Sequence, residues 1–92
     1  MGNIWDRIYS GVRRMAFNCE VKYPERIREL RQDNDLTQKE IADMLKVAQT
    51  TYSLYELYKR PMPIECLMAL CRFYKVSSDY ILGFTDKKEK IQ

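Results

Sequence analysis

The chain of 92 residues is 46% hydrophobic and 32% charged, the composition of a globular protein with one small core rather than of a disordered segment. Its net charge of +3, from 16 Lys+Arg against 13 Asp+Glu, permits a nucleic-acid partner without arguing for one. Three cysteines at unrelated spacings and no histidine argue against a disulfide framework or a Cys/His metal site. No apolar run approaches the roughly 18 residues of a membrane helix and no secretory signal is evident, so a reducing cytoplasm fits best.

Residues 4–17 set Ile4, Trp5, Ile8, Tyr9, Val12, Met15 and Ala16 on one side of a predicted helix. Asp6, Arg7, Ser10, Arg13 and Arg14 fall on the other, and Gly11 weakens the helix by about 1 kcal/mol relative to alanine. This stripe is too long to leave bare. It fits folding back on its own bundle, pairing with a second copy, or lying on a membrane surface. Asn18 to Tyr23 is a connector, and Pro24 suits the first turn of the next helix, in which Ile27 and Leu30 face inward. That helix is expected to end near Asn34 and Asp35, which tolerate a left-handed backbone.

The stretch TQKEIADMLKVAQTTYSLYE, residues 37–56, predicts two short helices set at an angle. Thr37 with Glu40 is a capping box, followed by an inward stripe of Ile41, Ala42 and Leu45. A break falls at Lys46-Val47. Gln49, Thr50, Ser53 and Leu54 then alternate with Tyr52 and Tyr55, and the small Ala42 allows close approach of the two helices. The spacing resembles a DNA-binding helix-turn-helix. Leu57 to Pro63 is a loop with two prolines and the adjacent cations Lys59 and Arg60. Residues 64–74 form a further helix with Ile64, Leu67, Met68, Leu70, Cys71 and Tyr74 apolar; Cys66 and Cys71 read as core or boundary residues. Ser77 caps a last short helix that Gly83 stops. Residues 85–92 are a charged tail, expected to fray.

With RIRELRQDNDLTQKEIADMLKV, YSLYE and VSSDYILG in this order, the chain resembles the Cro/phage-repressor helix-turn-helix (XRE-like) regulators over about residues 23–84. The resemblance implies an all-α fold: a compact five-helix DNA-binding bundle, here with an extra amphipathic helix and connector in residues 1–22 and the tail at 85–92. It implies a sequence-specific transcriptional regulator of bacterial or phage type, a repressor by preference, acting as a homodimer on double-stranded DNA. Gln38 then matches a phosphate-binding position at a helix start. Gln49, Thr50, Ser53 and Leu54 match the groove-facing positions of the recognition helix, with Gln49 suited to an adenine edge and Leu54 to a thymine methyl. Lys59 and Arg60 match a phosphate-contacting loop. Arg31 and Glu56 match an internal salt bridge whose loss on one side costs about 3–5 kcal/mol.

The chain departs from the family pattern at four places. Lys46 stands for the usual turn glycine, Ala48 for a capping serine, Tyr58 for a helix-ending glycine, and Leu54 takes an often polar position. No catalytic cluster, cofactor motif or ligand domain stands out, so no enzymatic activity, cofactor, metal or small-molecule substrate is expected. The plainer alternative is a protein-interaction module that keeps the bundle, solvates its polar faces and binds no DNA.

Overall fold

The computed structural model describes residues 21–89, and the helix expected over residues 4–17 lies outside them. Among the described residues there are five helices and no strand: α1 (Tyr23–Asp33), α2 (Gln38–Leu45), α3 (Gln49–Glu56), α4 (Ile64–Tyr74) and α5 (Ser78–Leu82). The all-α expectation holds. None of these helices is long and apolar enough to cross a membrane.

Local chemistry sets each boundary. Pro24 and Glu25 occupy the first turn of α1, where a missing amide hydrogen and a negative charge are both tolerated. The helix ends where the Asn34 side chain donates to the Leu30 carbonyl at 2.8 Å and Asp35 turns left-handed at φ 55°. At the start of α2 the capping box is complete: the Glu40 amide donates to Thr37 Oγ1 at 3.1 Å, and the Thr37 amide to Glu40 Oε1 at 3.0 Å. Ser77 Oγ accepts from the Tyr80 amide at 3.0 Å to start α5, and Gly83 closes it at φ 86°. Only glycine fits there. A Cβ on Gly83 would lie 2.8 Å from Lys22 Cβ, besides carrying the left-handed strain.

The core gathers Ile27 and Leu30 from α1, Ile41 and Ala42 from α2, Tyr52 and Tyr55 from α3, and Leu70 from α4, with Cys66, Val76, Tyr80 and Ile81. Helix α2 packs on α3, α1 on both α3 and α5, and α4 on α5, so α3 is braced from two sides. The α4 apolar positions divide. Cys66 and Leu70 are buried, Leu67, Cys71 and Tyr74 are half-buried, and Ile64 and Met68 are 66% and 52% exposed. The reason is helical phase: Ile64 and Met68, one turn apart, face away from the core toward a furrow beside α5, while Cys71 borders both the furrow and the core.

One expectation needs correction. The tail is not simply frayed, because its described part packs back on the bundle. Arg26 spans the ring of Tyr80 at 4.3 Å and donates to Asp86 at 2.9 Å, while the Ser77 amide donates to the Lys88 carbonyl at 3.1 Å. Asp86 is almost fully exposed, so its ion pair adds little; the backbone bond and the cation–π contact are the firmer restraints.

Candidate nucleic-acid interface

Between α2 and α3 the chain must turn within three residues. Lys46 does this at φ 60°, ψ 41°, and the Val47 amide closes the turn on the Ala42 carbonyl at 3.0 Å. Lysine thus occupies the left-handed position that glycine takes without strain. Ala48 has the extended backbone of an N-cap (φ −68°, ψ 148°) but no side-chain acceptor, leaving the first amides of α3 without that partner.

Beyond this turn, Gln38 from the start of α2 and Gln49, Thr50, Ser53 and Leu54 from α3 line one shallow depression. Gln49 and Thr50 are exposed; Gln38, Ser53 and Leu54 are half-buried. The opposite face of α3 carries Tyr52, Tyr55 and Glu56, all buried. The helix therefore has an anchored side and a presented side. Lys59 and Arg60 follow α3 in an exposed loop, and neither makes an ion pair with another described residue.

The anchored side is held by a charged knot. Arg31 Nε donates to Glu56 Oε2 at 2.7 Å and its Nη2 to Glu56 Oε1 at 3.0 Å, a forked pair, while Nη1 donates to the Leu36 carbonyl at 3.0 Å. The side chains of Arg31 and Glu56 are only 14% and 3% exposed. Burial alone would raise the Glu56 carboxyl pKa. The Arg31, Tyr52 and Gln38 side chains and the Arg31 charge outweigh it and hold the carboxyl below its usual value. The same contact raises the pKa of Arg31 against the cost of its burial. Tyr52 and Tyr74 are packed beside this pair, where burial pushes the Tyr74 phenol up to about 12 and Tyr52 higher still. The Tyr52 hydroxyl lies against Glu56, but neither phenol completes a hydrogen bond of good geometry.

Gln38 adds a connection that helix spacing did not reveal. Its Nε2 donates to Glu56 Oε1 at 3.1 Å, so one amide hydrogen is engaged internally and the other remains for an outside acceptor. Glu56 accordingly ties α1, α2 and α3 together. A second connection absent from the sequence reading pins the basic loop. Tyr58 takes φ 54°, its ring meets Tyr23 edge-on at 5.7 Å, and the Met62 amide donates to the Tyr23 hydroxyl at 3.1 Å. Tyr23 was legible only as the end of a connector, because its partners lie more than thirty residues away in sequence. That Tyr58 stands where the family pattern often has a helix-ending glycine was the hint that this loop needs an unusual backbone.

Two helices of eight residues, a tight left-handed turn and an exposed polar face on the second define a helix-turn-helix domain. A helix-turn-helix family model matches residues 27–81, and the chain belongs to that family, in its XRE-type branch. It is similar to the uncharacterized HTH-type transcriptional regulator YobD of Bacillus subtilis (strain 168), at 41% identity over 64 residues, covering 70% of this chain and 57% of the relative. It is also similar to the HTH-type transcriptional regulator ImmR of the same organism, at 36% identity over 66 residues, covering 72% of this chain and 52% of that protein. The chain thus spans little more than half the length of these curated relatives. A transcriptional regulator from Listeria innocua has the same fold, with a TM-score of 0.69 at 23% identity over 75% of this chain and 64% of the other.

Proposed function

We propose that this chain is a sequence-specific DNA-binding transcriptional regulator that reads the major groove with α3 and represses by occupying its operator. The observation that carries the reading is the single depression shared by Gln38, Gln49, Thr50, Ser53 and Leu54 on the presented side of a helix braced from behind. Gln49, at the first position of α3, has the bidentate amide that suits an adenine edge. Thr50 and Ser53 offer hydroxyls to either donor or acceptor, and Leu54 offers methyls to a thymine. Gln38, through its remaining amide hydrogen, and the unpaired Lys59 and Arg60 then take backbone phosphates on either side. Relatives named as HTH-type transcriptional regulators support this reading.

Two copies related by a two-fold axis would place their α3 helices about 34 Å apart, one turn of DNA. The reading is cytoplasmic in setting and needs no cofactor. Mobility-shift titration against the DNA flanking its own reading frame tests it. Gln49→Ala is expected to weaken binding to the preferred fragment about 5- to 150-fold, the equivalent of about 1–3 kcal/mol for one lost base contact. It should leave non-specific binding nearly unchanged. Failure to bind any fragment at low salt sinks the proposal and favours a bundle that docks protein partners instead.

A further inference from the structure

Beside the DNA-facing surface the molecule carries a second, unlike one. Between α4 and α5 runs an apolar furrow of about 630 Å³ lined by Ile64, Leu67, Met68, Cys71, Val76 and Leu82. Ile64 and Met68 stand 66% and 52% exposed on its wall, among the most exposed large apolar side chains described. A furrow of that size takes several side chains, not one, and it lies outside the face that would meet DNA.

We propose that the amphipathic segment of residues 4–17 of the same chain covers this furrow. Two observations single out that occupant. The described chain begins close to the furrow: Lys22 lies against Gly83, the residue that follows the furrow-lining Leu82. The segment is the right length and polarity. As a helix, 14 residues reach about 21 Å, enough to run the length of the 11-residue α4, with Ile4, Trp5, Ile8, Tyr9, Val12 and Met15 on one side. Being tethered by a few residues, the segment acts at an effective concentration of about millimolar, above that of a second copy competing for the same trough.

Trp5 is the chain's only tryptophan, so its emission reports the segment directly. In the intact protein the emission is expected to be blue-shifted and several-fold less quenched by acrylamide than a free indole. Both properties should be unchanged on dilution to concentrations at which sedimentation gives a monomer mass. Ile64→Lys and Met68→Lys should each restore exposed-indole behaviour with the helical circular dichroism retained, whereas Leu57→Lys, an equally exposed site elsewhere, should not. An exposed indole at every concentration overturns the proposal. So does protection that appears only with dimer mass, only on adding anionic phospholipid vesicles, or that survives both furrow variants. Should a furrow variant lose its helicity, oxidation of Met68 by dilute peroxide decides. The rate is expected to rise several-fold in Ile8→Lys over the intact chain, and equal rates overturn the inference.

Discussion

Glu56 is the residue on which most depends, because one carboxylate accepts from Arg31 twice and from Gln38 once while being 3% exposed. Arg31→Ala would strand that charge in the interior, and a loss of about 3–5 kcal/mol in denaturant unfolding is expected. Glu56→Gln keeps the shape but not the charge, which separates the two effects by pH. The folded carboxyl titrates below its ordinary value near 4.5, so its contribution is complete above that value and fades as the pH falls through the lower, folded one. The stability difference between the native chain and Glu56→Gln should therefore be widest at neutral pH and close progressively below about pH 4.5. A gap that widened in acid would show that the ion pair does not govern this titration. The Arg31–Glu56 pairing was legible through family resemblance, since two charges 25 positions apart have no local signature. For Gln38 the resemblance implied only a phosphate contact, not its bond to Glu56. Its inward bond depends on the angle between α2 and α3, which periodicity does not encode.

Helix ends divide into those the sequence spells out and those it contradicts. Thr37, Ser77 and Gly83 are side chains whose own chemistry makes a cap, so their helices begin and stop where pattern alone places them. Lys46, Tyr58 and Lys75 instead hold left-handed backbones at φ 60°, 54° and 58° with no glycine to mark them, and only the surrounding packing imposes that conformation. Lys46→Gly should relieve the strain at the helix-turn-helix junction and raise stability by about 1 kcal/mol, seen as a higher thermal midpoint. Ala48→Ser, at a backbone already extended like an N-cap, should add a similar amount by giving the α3 amides an acceptor. Gly83→Ala runs the other way. With φ 86° and Lys22 Cβ within 2.8 Å, at least about 1 kcal/mol should be lost.

Across the whole molecule, polarity is segregated. The polar depression of α2 and α3, the exposed loop of Lys59 and Arg60 that follows α3, and the apolar furrow between α4 and α5 are distinct surfaces, and the tail from Thr85 to Glu89 closes over α1. The five-helix bundle was readable because apolar periodicity, prolines and caps all agree over residues 23–82. The return of the tail was not, because a run of charges looks solvated until Arg26 and Tyr80 are brought beside it by the fold. Separate surfaces make separable phenotypes. Lys59→Ala and Arg60→Ala should weaken binding to all DNA sequences alike, and each should lower the slope of log K against log salt by about 1. A change confined to one operator would instead place these cations at a base edge.

The threefold attachment of Glu56 has a calorimetric consequence. With α1, α2 and α3 locked through one carboxylate, the proposed DNA-reading surface is formed in the free protein, and little additional burial by folding should accompany binding. The heat-capacity change of association should then be small and set by contact area alone. In Gln38→Ala, where one strand of that attachment is cut, it should turn more negative as the binding enthalpy comes to include the ordering of α2 against α3.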